Sequence, residues 1–261
     1  MAEQDMKGVR ALVTGGSSGV GLAIARAMAK RGAVVAVTGR NPERGAEAAQ
    51  ALKQLHPECT FLQGDAGDAE SIAAICAQAA QHMGGIDTVV SSGAEGKMGP
   101  TPFADLTAQQ VVENFDSRFR ARILPVHAAI PYLRKSDRAC ALMITTDAAR
   151  HPTPGESIIG AAGAAVILLT KALARELSRD RIRVNAVALT LTSDTPSWDR
   201  IFAKASFENK LFSKALDRFP NGRAPTADEV AEAALFLCSP GASQITGQTV
   251  SVNGGLSFGG W

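Results

Sequence analysis

Cysteine is scarce in this 261-residue sequence, and the four that occur (Cys59, Cys76, Cys140, Cys238) stand far apart, with no CxxC pair and no metal-ligand spacing. The expectation is buried thiols in a reducing, cytoplasmic compartment and no metal site. Charge of one sign is not concentrated either: 27 basic against 25 acidic residues leave a net charge of +2, with no basic run, so nucleic-acid binding has no support. No stretch reaches the ~18 uninterrupted apolar residues of a membrane span. The opening "MAEQDMKGVRALVTGG" lacks the basic start and apolar run of a signal peptide, so neither insertion nor export is expected. Internal repeats, low-complexity tracts and composition breaks are also missing, which favours a single domain over residues 1–261.

What is present is a chain with 46% hydrophobic and 20% charged residues, able to bury a large core. Short β-branched runs alternate with alanine-rich stretches of helical period. "VRALVT" precedes a glycine loop and "VGLAIARAMAKRG"; "AVVAVTG" precedes "NPERGAEAAQALKQL", with Asn41 as N-cap and Pro42 as first helical residue. "CTFLQGD", "IDTVVSS", "ACALMITT", "IRVNAVAL" and "TVSVNGG" continue the series. Seven strands separated by helices predict a Rossmann-type, doubly wound α/β fold, a parallel sheet with helices on both faces. The runs "VVAV", "TVV" and "ALMI" are apolar without alternation, as strands covered on both sides should be. Residues 189–224, rich in Thr, Ser, Pro and Phe, form the one long irregular stretch, expected to overhang the carboxyl edge of the sheet as a substrate lid or partner surface.

The stretch "TGGSSGVG" follows the first strand at once and opens a helix. Gly15, Gly19 and Gly21 allow a tight turn, close backbone approach to a pyrophosphate and close helix packing, and the helix N-terminus favours negative charge. Ser17, Ser18 and Val20 complete the loop, and Asp65, Ala66 and Gly93 lie after the third and fourth strands, where the rest of a nucleotide would sit. Asp65 could accept from an adenine amine, or serve as an ordinary turn residue between a strand and a helix. The second strand ends Thr38, Gly39, Arg40 without the carboxylate that would hold ribose hydroxyls; if a nucleotide binds, arginine there favours NADP(H) over NAD(H), the alternative being a solvated arginine opening a helix with weak or absent cofactor binding.

With "TGGSSGVG", "GDAGD", "RIRVNAVA" and "GQTVSVNGG" in place, the sequence resembles the short-chain dehydrogenase/reductase family over nearly its whole length. The resemblance implies a nicotinamide cofactor, an active set of asparagine, serine, tyrosine and lysine, and dimers or tetramers formed through two long helices, here about 108–134 and 155–178. Carried over by position, the tyrosine falls on Ile159 and the lysine on Gly163; the serine, thirteen residues before the tyrosine, falls on Thr146 and the asparagine on Arg118. The family's turn after the fourth strand reads Ser91, Ser92, Gly93, Ala94, and the proline-glycine after the sixth reads Leu189, Thr190. The single tyrosine, Tyr132, has no lysine four residues on, and Lys171 lies two turns past Gly163, so no small slip restores the pair.

In the family the tyrosine serves as acid or base for the substrate oxygen, a task commonly worth about 10²–10⁴-fold, and isoleucine cannot perform it. Three functions follow. The first expectation is a non-catalytic subunit that pairs with an active homologue or regulates through a bound nucleotide, its small-residue surface "IIGAAGAAVILL" suiting a helix bundle. The second is an NADP(H)-dependent reductase with a non-standard proton donor. The third is a redox-neutral isomerase or lyase using Arg118 with Asp147 or His151, with ion pairing of Arg118 to Asp116 or Glu113 as the alternative that would leave it structural. His56, His82 and His127 fall on helical stretches without metal spacing.

Overall fold

The computed structural model describes residues 4–93 and 98–258. The strands β1 (Arg10–Thr14), β2 (Val34–Gly39), β3 (Thr60–Gln63), β4 (Thr88–Ser91), β5 (Cys140–Thr146), β6 (Arg183–Leu189) and β7 (Thr249–Val252) form one parallel sheet in the order β3-β2-β1-β4-β5-β6-β7. Each expected strand is present. The order reverses between β1 and β4, which opens a crevice at their carboxyl ends.

Helices cover both faces. On one lie α1 (Gly19–Lys30), α2 (Pro42–Lys53) and α8 (Ala227–Cys238), whose Ile24, Leu52 and Leu235 pack on Val13, Val35 and Val187. On the other lie α3 (Ala69–Met83), α4 (Ala108–Leu133) and α5 (Ser157–Glu176), whose Ile75, Val126 and Val166 pack on Leu12, Val89 and Met143. Successive strand residues belong to opposite clusters, the reason these strands read as unbroken apolar runs. Asn41 caps α2 as expected, accepting from the Arg44 N–H at 2.7 Å ahead of Pro42. The two long helices are slightly shorter than their sequence pattern; α5 starts later because Gly155 takes a left-handed φ of +79° just before it.

One expectation needs correcting. Residues 189–224 are not irregular throughout: they carry α6 (Pro196–Phe202) and α7 (Phe207–Leu216), tied together by a small core of Leu191, Ile201 and Phe219 with Trp198 and Phe212 around it. The helix that includes α5 is long and apolar enough by length and composition to cross a membrane, with an 18-residue window of mean hydropathy 1.9. In this fold Val166 and Ala174 of that helix are core residues of the sheet's second face, and 39% of the window is buried. All four cysteines are free and buried.

At the amino end of the sheet Asp87 accepts from the backbone N–H and Nε of Arg10, both at 2.9 Å, from its Nη2 at 2.5 Å, and from Ser136 Oγ at 2.7 Å. These four donors tie β1, β4 and the turn before β5 together. They hold the Asp87 carboxyl below its ordinary range against the opposing effect of burial.

Candidate functional site

A cleft of about 1220 Å³ runs along the carboxyl edge of the sheet. Gly15, Ser17, Ser18, Gly19, Val20, Gly21, Arg40, Asp65, Ala66 and Gly93 all line it, so every residue placed at a nucleotide site by sequence lies on one continuous surface. Ala94 lies outside the described residues.

The local geometry fits a dinucleotide. Gly15 and Gly19 adopt φ of +66° and +52°. A Cβ on Gly15 would stand 2.8 Å from the Gly93 backbone, and one on Gly21 2.3 Å from the Gly15 carbonyl oxygen. The turn therefore exists only as glycine. Ser18 occupies the N-cap of α1 without a side-chain cap, which leaves the first N–H groups of that helix for an anion. At the other end of this half of the cleft, Gln63 Nε2 donates to the Arg40 carbonyl at 3.2 Å, and Arg44 joins Arg40 along the wall. Asp65 Oδ1 accepts from Gly67 N–H at 2.8 Å, which fixes the carboxylate in its turn.

Further along, the cleft is lined by Arg118, Thr146, Asp147, His151 and Ile159, but not by Gly163. A Cβ at Gly163 would come within 2.6 Å of Thr146 Cγ2 and 3.0 Å of Ala149 Cβ, so α5 packs directly on the end of β5 where a longer side chain would start. The Thr146 hydroxyl accepts from Ala148 N–H at 3.2 Å. Arg118 forms no ion pair with Asp116 or Glu113: its Nε donates to Asn114 Oδ1 at 2.7 Å and its Nη2 to the Met98 carbonyl at 2.5 Å, while Asp116 pairs with Arg120 at 3.3 Å. The remaining N–H groups of Arg118 have no partner among the described residues. One turn on, Arg122 donates to the carbonyls of Ile144 at 2.9 Å and Arg118 at 2.7 Å; burial and the neighbouring Arg118 charge pull it down to about 10.

The proton relay expected between Asp147 and His151 is not formed. Asp147 is buried and turned toward the chain's last strand, where Ser251 Oγ donates to it at 2.9 Å, Asn253 Nδ2 at 2.7 Å, and Ser257 Oγ as well. Arg150 closes the same network through Ser251 Oγ and the Thr249 carbonyl. His151 is exposed, and only its backbone meets Asp147.

Two carboxylates not singled out by sequence reading stand in the cleft instead. Glu156 lies one turn before Ile159, and burial pushes its carboxyl up to about 7, against the Thr153 hydroxyl and the Arg118 charge, with Glu208 adding to the rise. Glu208, on α7, pairs with Arg200 of α6 at 3.6 Å. The available signal for Glu156 was its isolation, since no charged residue follows it until Lys171. Glu208 and Arg200 had none, lying in the stretch whose composition reads as irregular. Among the described residues, no group of three or more His, Cys, Asp or Glu side chains comes together as a metal site would need.

A parallel sheet with a glycine-turn cleft at its carboxyl edge defines a Rossmann-type α/β protein. A family model described as Enoyl-(Acyl carrier protein) reductase matches residues 15–257. The 3-oxoacyl-[acyl-carrier-protein] reductase FabG of Chlamydia trachomatis is 31% identical over 252 residues, spanning 95% of this chain and 96% of that protein. A short chain oxidoreductase of Pseudomonas aeruginosa PAO1, described as NADPH bound and as containing an atypical catalytic center, superposes with a TM-score of 0.88 at 30% identity over 100% of both chains. A short chain dehydrogenase of Burkholderia cenocepacia J2315 in complex with NADP gives a TM-score of 0.84 at 28% identity, covering 97% of this chain and 99% of that one. The chain belongs to the short-chain dehydrogenase/reductase family.

Proposed function

We propose that this protein is an NADP(H)-dependent reductase of its family in which the tyrosine and lysine positions are occupied by Ile159 and Gly163 and the carbonyl is handled by other groups. The observation that carries this reading is the continuity of the cleft: one open surface joins the glycine turn and Arg40 to a partly unpaired cation, Arg118. A subunit kept for its fold alone has no need of that continuity. The NADPH-bound relative with an atypical catalytic center supports the same view by similarity.

NADPH, when bound, supplies a hydride. Gly15 to Gly21 would hold its pyrophosphate, and Arg40 with Arg44 its 2′-phosphate, through charge-assisted contacts. Arg118 would then stabilise the negative charge that develops on a carbonyl oxygen; loss of one such donor costs about 10²–10³-fold in turnover. The test is NADPH consumption at 340 nm against a panel of aldehydes, ketones and 1,2-dicarbonyls. Turnover that drops in Arg118→Ala and Arg118→Lys while NADPH binding stays intact supports the reading. No consumption of any probe by NADPH-loaded protein contradicts it.

The non-catalytic partner subunit is the second reading, favoured by the outer surface of the long helices. Val112 on α4 is 64% exposed and Leu168 on α5 69% exposed, apolar side chains that a dimer or tetramer, with a second copy or an intact homologue, would cover. Light scattering of the isolated chain, alone and mixed with an active homologue, separates the two.

A further inference from the structure

Glu156 is held in place by its backbone, and its carboxyl meets the Thr153 hydroxyl but forms no ion pair among the described residues. The left-handed Gly155 before it packs under Phe207, whose ring would lie 2.6 Å from a Cβ there, and the Gly155 carbonyl accepts from Thr101 N–H at 2.8 Å. Glu156 occupies the N-cap of α5, yet its side chain makes no cap hydrogen bond. The carboxyl is left facing the cleft. The charged groups that act on it are Arg118 from α4 and Glu208 from α7, with the Thr153 hydroxyl on its own loop; Arg200 from α6 pairs with Glu208 and bears on Arg118. No ion pair joins Glu156 to Arg118 although each feels the other's charge, so the two stand apart across the cleft rather than neutralising one another.

Building on the reductase reading above, we propose that Glu156 is the proton donor for carbonyl reduction, delivering its proton to the oxygen that Arg118 holds. As the carbonyl carbon accepts hydride and its π pair moves onto oxygen, the Glu156 carboxyl gives that oxygen its proton and becomes a carboxylate. The carbonyl is reduced to an alcohol, NADPH is oxidised to NADP⁺, and Glu156 recovers a proton from water. The other acids on this wall are unsuited: Asp147 is engaged by Ser251, Asn253 and Ser257, and Glu208 by Arg200. Burial supports the assignment, since a carboxyl raised to about 7 is partly protonated at neutral pH, where an acid catalyst is most effective. Its acid form is present below that pH and lost above it. Reduction should therefore decline above pH 7, while the reverse oxidation, which needs the carboxylate as base, should rise.

Two readouts test this. In protein carrying ¹³C-labelled glutamate and saturated with NADP⁺, one carboxyl resonance should titrate near pH 7 and vanish in Glu156→Gln. In the NADPH assay with 2,3-butanedione and 9,10-phenanthrenequinone, Glu156→Gln should lose about 10²–10⁴-fold at pH 6.5. Glu156→Asp should retain part of that activity, and the wild-type rate should fall above pH 7. A Glu156 carboxyl that titrates near 4.5, or turnover that survives Glu156→Gln, overturns the proposal alone. NADPH-loaded wild type that turns over neither probe overturns the reductase reading and the proposal with it.

Discussion

At the amino end of the sheet Asp87 is 1% exposed and receives four hydrogen bonds from Arg10 and Ser136; at the carboxyl end Glu156 is desolvated without a cation in contact. The first carboxyl is held below its ordinary range and the second is pushed up to about 7. The same fold thus treats one functional group in opposite ways. Where strands begin, polar groups are satisfied by the chain itself, and the result is stability. Where strands end, Arg118 and Glu156 are left partly unsatisfied, and such groups can respond to a ligand.

The largest effect should come from opening the satisfied end. Asp87→Ala leaves Arg10 and Ser136 without their acceptor and should cost about 4 kcal/mol, read from urea unfolding at pH 7. Because the folded carboxyl lies below its ordinary value of 3.8, its contribution is present above that pH and lost as pH falls through the folded value, so the wild type should weaken in acid and the variant much less.

Glu156→Gln should act in the reverse sense. Between its ordinary value of 4.5 and the folded value of about 7, the folded chain keeps a proton that the unfolded chain has released. Wild-type stability therefore falls as pH rises through that window, by about 3 kcal/mol in all. The glutamine variant should lack this slope and gain about that amount relative to wild type between pH 4 and pH 8. A parallel pair of stability curves would show that Glu156 is paired like Asp87 and would remove the contrast.

Arg40→Ala addresses the cofactor half of the cleft and should weaken NADPH by about 30-fold, or about 2 kcal/mol, with NADH unchanged. Smallest is Gly163→Ala. Its Cβ would press on the Thr146 methyl at 2.6 Å. The crowding outweighs the better helix propensity of alanine, for a net loss of about 1 kcal/mol in thermal unfolding.

The parts legible in the sequence are those governed by local rules. The unbroken apolar runs at β1, β2, β4 and β5 announce strands covered on both faces, and Gly15, Gly19 and Gly21 announce a turn that no other residue can make. What could not be read is set by distant packing. Asp147 looked like a partner for His151 four residues away, but its oxygens are claimed by Ser251, Asn253 and Ser257, more than 100 residues on. Glu156 acquires its character from burial and from Arg118 and Glu208, which only the folded chain brings near it. Residues 189–224 hid α6 and α7 because helices of 7 and 10 residues give few turns over which a period can be read.

The most direct test of the account is a calorimetric and fluorescence titration of the purified protein with NADPH and, separately, NADH. The account predicts saturable NADPH binding that exceeds NADH binding. Absence of heat and of fluorescence change at millimolar NADPH would contradict it and leave a partner subunit as the function of this fold.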